Sequence, residues 1–274
     1  MATKYKLLVL IDLFKTSHSV VKSAVNLAKA VNASVEVFYA KQLTTIVKNE
    51  NQISAMRSLN EEQNITKKKL KNLVNTISKE ENIPITFDFV FGNIKNEIIR
   101  QIETMKPDII VLGKRKQPVF NFLRDDTTQF LLNTYFGNIL IVDEDNELNS
   151  NSNISIGFYT DTLDDCNIEI TKDLSKKASS SIKFFKVRKN ATVQLSNDIS
   201  AQLKTTHADK NIVEYEFEES TGALINFVSK NNIELLCVGR EWKKKGWIES
   251  FAREEASMNK EIHKLKVPLF IYGK

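Results

Sequence analysis

The sequence predicts an α/β protein with two repeated domains, each a five-stranded parallel open sheet with helices on both faces. Continuous apolar runs alternate with segments whose apolar residues recur at helical spacing, which is typical of a parallel sheet covered by helices. The same order of runs begins again after a polar, Asn- and Ser-rich stretch at 143–153. We therefore predict a first domain over residues 1–145, a linker over 146–153 and a second domain over 154–274.

Five apolar runs predict the strands of the first domain. The run YKLLVLI at 5–11 is almost continuous and ends at Asp12, which indicates a strand buried on both faces. The other runs are SVEVFYA at 34–40, ITFDFVF at 85–91, DIIVLG at 108–113 and NILIVD at 138–143. Periodic apolar residues predict a helix from Ser17 onward, a long helix that includes 56–77, and helices at 93–105 and around 126–135.

The landmarks of the second half repeat those of the first in the same order. The segment SIGFYTD matches LLVLID, and ALINFVSKNNIELLCVGRE matches EIIRQIETMKPDIIVLGKR. The short segment FAREE matches FLRDD, and PLFIYG matches NILIVD. Because these landmarks keep their order and nearly their spacing, a duplicated domain explains them better than two unrelated folds.

The amino-acid composition indicates which partners and which cellular compartment to expect for this protein. The 39 basic and 34 acidic residues are interspersed, and this near-balance argues against a nucleic-acid partner. The two cysteines form no CxxC pair, which favours a reducing, cytoplasmic setting. No apolar run approaches the roughly 18 residues of a membrane-spanning helix, so we expect no membrane partner.

Recognisable catalytic constellations are absent from the sequence. The three histidines, His18, His207 and His263, are scattered and have no Cys, Asp or Glu at metal-ligand spacing. Neither a G-x-S-x-G elbow nor a Walker A sequence is present. The sequence therefore predicts no catalytic residues, no metal site and a protein that is not an enzyme.

Taken together, the strand ending in Asp12, the segment VFGNIKNEIIRQIETMKPDIIVLGKR and the segment LLCVGREW resemble the universal stress protein family. Because the pattern occurs twice, the chain resembles a tandem member with two such domains. The resemblance implies a parallel α/β fold and, in some members, ATP or AMP binding. It also implies pairing through the fifth strands, here GNILIVD and VPLFIYG, which would join the two domains within one chain.

In nucleotide-binding members of that family, the loop after the fourth strand reads G-x-x-G, nine residues, then G-[S/T]. Gly113 matches the first glycine, Lys116 stands at the second, and Asp126 and Thr127 stand at the final pair; if one residue is deleted from the loop, Asp125 and Asp126 replace that pair instead. Gly239 keeps the first glycine of the second repeat. A carboxylate at the phosphate end repels phosphate, so the resemblance implies degenerate nucleotide sites and no bound cofactor, with ATP kept as the alternative.

The two aspartates that end the first strand of each repeat, Asp12 and Asp161, are further candidates for a binding role. They are expected at the carboxyl edge of the sheet, where ligands of open α/β sheets bind. The resemblance implies a contact with a nucleoside. The alternative is a purely structural aspartate that caps a helix or closes a turn.

The loop after Gly113 carries a basic cluster, Lys114 to Lys116, and then the acidic pair Asp125 and Asp126. The cations could hold an anion, pair with the acidic doublet or simply face solvent. The aromatic residues Phe120, Phe122, Trp242 and Trp247 could stack on a base or dock a partner, or be buried in their own domain. We hypothesise that Asp125/Asp126, and likewise Glu254/Glu255, sit at helix N-termini and fill the former phosphate sites.

These observations predict a non-enzymatic, cytoplasmic stress-response or regulatory binding protein with degenerate nucleotide sites. The alternative is an ATP- or AMP-binding sensor, or a slow ATPase, that uses one repeat. A nucleic-acid-associated protein is a third class, against which the charge balance argues. The expected partners are the second domain of the same chain and an unknown protein, and association into a homodimer stays open.

Overall fold

A computed structural model describes residues 3–43, 51–114, 126–143, 147–148, 154–159, 169–176, 182–188, 202–207, 212–218, 223–240 and 265–273. The elements of the first half are β1 (Tyr5–Ile11), α1 (Thr16–Val31), β2 (Ala33–Lys41), α2 (Gln52–Glu81), β3 (Ile85–Phe91), α3 (Ile94–Met105), β4 (Ile109–Gly113), α4 (Asp126–Thr134) and β5 (Asn138–Val142). Those of the second half are β6 (Ile156–Tyr159), α5 (Glu169–Lys176), β7 (Ile182–Arg188), β8 (Gln202–His207), β9 (Ile212–Glu218), α6 (Ala223–Lys230), β10 (Leu235–Arg240) and β11 (Leu269–Gly273).

All the strands belong to one mostly parallel sheet flanked by helices, which confirms the α/β class. Their order is β3-β2-β1-β4-β5-β11-β10-β6-β7-β9-β8. The first five strands are parallel to one another. At the centre, β5 runs antiparallel to β11, with Leu140 opposite Phe270 and Ile139 opposite Ile271. The sheet is therefore continuous from one half of the chain to the other.

The second half departs from the predicted five parallel strands. Its described residues contribute six strands to the sheet, because β8 lies at the outer edge and pairs antiparallel with β9. The sequence of β8, QLKTTH, has Leu203 as its one apolar residue, so no apolar run marks it. An edge strand can be held by backbone hydrogen bonds to one neighbour and need not be apolar on both faces. The prediction of five parallel strands is therefore wrong for this half.

Alternation along the strands separates two apolar cores, one on each face of the sheet. In β1, Leu7 and Val9 point into one core, while Leu8 and Leu10 point into the other. Helices α1, α2 and α5 cover the first core, and α3, α4 and α6 cover the second. Both cores contain residues of both halves of the chain, so the two halves bury apolar surface together.

Polar contacts on α1 hold part of the predicted linker. Leu148 is fully buried; its N–H donates to Ser23 Oγ at 3.0 Å, and its carbonyl accepts from Asn26 Nδ2 at 2.6 Å. Beside it, Lys22 pairs with Glu147 at 3.5 Å. Two buried polar residues of α1, Ser23 and Asn26, thus bind this segment.

A second set of contacts joins the start of β1 to α5. Lys4 pairs with Asp173 and, at 2.7 Å, with Glu169, and the Tyr5 hydroxyl donates to Asp173 at 2.9 Å. Asp173 also accepts from Lys176 at 2.8 Å, and hydrogen bonds from Lys176 and Lys4 hold its pKa well below the usual range. The carboxylate of Asp173 is thus the centre of a charged contact between the two halves.

Candidate functional site

A cavity of about 90 Å³ opens at the carboxyl ends of β1 and β4. In the strand order β3-β2-β1-β4-β5, the chain runs outward from β1 through β2 to β3 and then returns to β4 on the other side of β1. This change of direction leaves a crevice between the loops that follow β1 and β4, which is where open α/β sheets bind ligands. The cavity is lined by apolar residues of the strands and of α3 and by hydroxyl-bearing residues of α1 and α4.

Asp12 lines this cavity and also organises the turn that follows β1. Its Oδ1 accepts from the Phe14 N–H at 3.0 Å and from Ser17 Oγ at 3.3 Å. The turn includes Leu13 in the left-handed region, with φ 60°, and a carboxylate that binds nearby backbone stabilises such a turn. Asp12 therefore has the structural role that the sequence offered as the alternative, because it stabilises a turn. It is also one of the residues that line the cavity.

Gly113 lies at the end of β4, in the wall of the same cavity. A Cβ added at this position would lie 2.7 Å from Val20 Cγ2, well inside van der Waals contact. The backbone of Gly113 is not in the left-handed region, so conformation alone does not require glycine. The absent side chain lets α1 pack closely against the end of β4.

Thr127 and Thr128, in the first turn of α4, also line the cavity. The structure thus brings Asp12, Gly113 and Thr127 together, although they are far apart in the sequence. Asp126 is the first residue of α4, but its side chain is outside the described part of the chain.

Of the remaining predicted site residues, the structure describes Gly239, which does not line the cavity. Gly239 lies in β10, in the second half of the sheet, where it is paired with Tyr272 of β11. Lys116 and Asp161 fall outside the described residues. The same holds for Arg115, Asp125, Glu254 and Glu255 and for the loop aromatics Phe120, Phe122, Trp242 and Trp247.

Lys114 has an acidic partner that sequence reasoning missed. Its Nζ lies 3.6 Å from Asp143 Oδ2, and its N–H donates to the Val142 carbonyl at 2.6 Å. Asp143 directly follows β5, which is the neighbour of β4 in the sheet. The signal was in the sequence, because two adjacent parallel strands that end in Lys and Asp bring those side chains to the same edge.

Sequence reasoning also missed three hydroxyl-bearing residues of the lining, and Tyr39, whose phenol lies within electrostatic reach of Asp12. Thr16 and Ser17 of α1 line the cavity together with Thr128 of α4. Burial raises the pKa of the Tyr39 phenol, and the carboxylates of Glu62 and Asp12 raise it further against the opposing effect of Lys41. Tyr39 therefore stays protonated near the cavity at neutral pH.

Of the described residues that line the cavity, Asp12 is the only titratable one, so they supply no acid–base pair. The part of the chain that the structure describes also contains no group of three or more His, Cys, Asp or Glu residues placed to hold a metal ion. No helix among the described residues is long and apolar enough to cross a membrane.

Comparisons with known proteins agree with this architecture. Residues 5–143, just over half of the chain, match the Universal stress protein family. A universal stress protein from Archaeoglobus fulgidus DSM 4304 is similar over 99% of this chain and 97% of its own, with 16% identity and a TM-score of 0.69. A protein of unknown function from Pseudomonas aeruginosa PAO1 is similar over 98% and 92%, with 11% identity and a TM-score of 0.53. No curated protein matches the chain.

Proposed function

Because the chain belongs to the universal stress protein family, we propose that it is a non-enzymatic regulatory binding protein of the stress response, located in the cytoplasm. In this proposal its nucleotide sites are degenerate, and it acts by binding a partner rather than by turning over ATP. The balanced charge and the pair of isolated cysteines support this setting.

The main support for the proposal is that the protein's own residues occupy much of the cavity in the first half of the chain. The space beside Gly113 is taken by Val20, and the Asp12 carboxylate is engaged by Phe14 and Ser17. The remaining cavity, about 90 Å³, is far smaller than the roughly 300–1,000 Å³ of sites that enclose drug-sized ligands. A whole nucleotide therefore has little enclosed space here.

We further propose that the chain is a tandem of two family domains, at 1–145 and 154–274, paired through their fifth strands. The order β11-β10-β6-β7-β9 in the second half corresponds to β5-β4-β1-β2-β3 in the first. The antiparallel contact of β5 with β11 then relates the two halves by an approximate twofold axis and protects one edge of each. The likeness to an archaeal family member over nearly all of both chains supports this proposal.

Titration calorimetry with ATP, with and without Mg²⁺, tests the proposed degeneracy. We expect no binding, or binding weaker than the micromolar range, because Lys116 and Asp126 replace the glycines that would approach phosphates. A dissociation constant in the low micromolar range would overturn the proposal and favour the ATP- or AMP-binding sensor. Steady ATP hydrolysis by the same sample would favour the slow ATPase.

A variant with Lys116→Gly, Asp125→Gly and Asp126→Ser tests whether the loop or the cavity wall excludes nucleotide. If the acidic doublet keeps nucleotide out, this variant should gain affinity while its circular dichroism spectrum is unchanged. A folded variant that gains no affinity would show that the cavity wall, rather than the doublet, excludes nucleotide. The two readings of the degenerate site are thereby distinguished.

A further inference from the structure

Helix α2 carries an exposed basic surface with an apolar end, whose cations have no ion pair within the described residues, and we propose that this surface binds an acidic, amphipathic segment of a partner protein. The helix has 30 residues, about 45 Å, but its buried side chains begin only at Thr66 and continue at Leu70, Val74 and Ile77. Its first 14 residues therefore extend without a buried side chain of their own. An isolated helix of about 14 residues is marginal in water unless one of its faces is covered.

Exposed apolar side chains concentrate at this end of the helix. Of the seven large apolar residues that are most exposed in the described chain, four lie between 43 and 65: Leu43, Ile53, Met56 and Ile65. Ile53 is 67% exposed and Met56 is 61% exposed, and the two are three residues apart on the helix surface. We call this pair the apolar end.

A basic stripe continues from the apolar end along the same side of the helix. It consists of Arg57, Lys67, Lys68 and Lys71, all exposed. Steps of three or four residues connect Ile53 through Arg57, Asn60 and Asn64 to these lysines, so the residues are neighbours on one face. At 3.6 residues per turn, they fall within an arc of about 100° that contains no carboxylate.

Several described cations outside the stripe are held in ion pairs. Lys4, Lys22, Lys29, Lys41, Lys114, Lys176 and Arg100 each have a carboxylate within ion-pair distance. None of the four cations of the stripe has an ion pair within the described residues. The stripe therefore presents a local positive field on a protein whose overall charge is nearly balanced.

Charge complementarity and the position of the apolar pair select the kind of partner. A nucleic acid would engage the lysines but gain little from Ile53 and Met56. A membrane surface needs apolar residues along the whole helix, with cations flanking them, and here they occupy one end. A protein helix with carboxylates along one face and two apolar residues at one end matches both features. It would span from residue 53 to residue 71, about 27 Å, which is five turns.

The test uses a fluorescein-labelled helical peptide of about 18 residues as the probe, with Glu along one face, two Leu at one end and Ala elsewhere. Fluorescence anisotropy at low salt should give saturable binding to the full chain. A control peptide with Gln in place of Glu should bind at least tenfold more weakly. Raising the salt concentration should weaken the binding of the acidic probe.

Matched variants locate the contact on α2. Replacing Lys67, Lys68 and Lys71 with Glu should weaken binding at least tenfold. The same change at Lys172, Lys230 and Lys266, three exposed lysines outside α2, should change it by no more than about twofold, because net charge alone is then altered. Ile53→Ser with Met56→Ser should weaken binding about fivefold, and circular dichroism establishes that each variant is folded.

Several outcomes would overturn the proposal. One is the absence of saturable binding of the acidic probe to the wild-type chain. Another is equal loss of binding in the two lysine variants. Tighter binding of a DNA duplex or of anionic lipid vesicles, lost only in the stripe variant, would assign the surface to those ligands instead. Self-association lost in the Ile53/Met56 variant would make the apolar end a contact between copies of this chain.

Discussion

Gly113→Ala should destabilise the protein, because residue 113 is packed tightly against Val20 at the candidate site. The new methyl carbon would lie 2.7 Å from Val20 Cγ2, whereas two carbon atoms are best separated by about 3.5–4.0 Å. Val20 is only 2% exposed, so it has little room to move away. We expect Gly113→Ala to lower the free energy of unfolding by about 1–3 kcal/mol, the usual cost of overpacking a core.

Val20→Ala supplies the matching half of a double-mutant cycle. Alone, it removes two buried methyl groups and should destabilise the protein by about 1–2 kcal/mol. Combined with Gly113→Ala, it removes the atom that the new methyl would meet, and that methyl partly fills the vacated space. The double variant should therefore be more stable than the sum of the single effects predicts, by about 1–2 kcal/mol.

Urea denaturation of the four proteins measures this coupling free energy. Effects that add to within about 0.3 kcal/mol would refute the packing explanation, because residues without shared contacts are additive. A Gly113→Ala variant as stable as the wild type would refute it too. In that case the glycine would be better explained by close approach of a ligand to the backbone.

Two further predictions concern the contacts between the halves of the chain. Leu148→Ala should lower the free energy of unfolding by about 2–4 kcal/mol because the side chain is fully buried, whereas Leu43→Ala, at a residue 44% exposed, should change it by less than about 0.5 kcal/mol. Equal urea midpoints for the two variants would show that the linker residue is not part of the core. The second prediction is that Asp173→Asn is less stable than the wild type at pH 7. Since hydrogen bonds from Lys176 and Lys4 depress the pKa of folded Asp173, that difference should shrink as the pH falls below the ordinary value of about 3.9. Thermal unfolding from pH 7 to pH 2 measures it, and a difference that does not change with pH would exclude Asp173 as the titrating group.

Much of the first half of the fold could be predicted from the sequence, because its signals are local. An apolar run marks β1 at the same bounds, 5–11, and Asn93 caps α3 through a hydrogen bond to the Asn96 N–H, so that the predicted helix at 93–105 differs by one residue. β8 could not be predicted in this way. It is stabilised by backbone pairing with β9, and backbone hydrogen bonds do not require a pattern of apolar side chains that the sequence would show.

In the candidate site, too, local sequence signals predict some features and tertiary packing decides the others. The sequence by itself determined that Asp12 and Gly113 end their strands, because the runs before them are apolar and parallel strands present their carboxyl ends at one edge. Only the tertiary structure decided what these residues do there. Gly113 accommodates Val20, Asp12 binds the turn at Phe14, and Lys114 pairs with Asp143. These partners come from other elements or depend on the exact turn of the backbone, and such distances arise only when the strands and helices pack together.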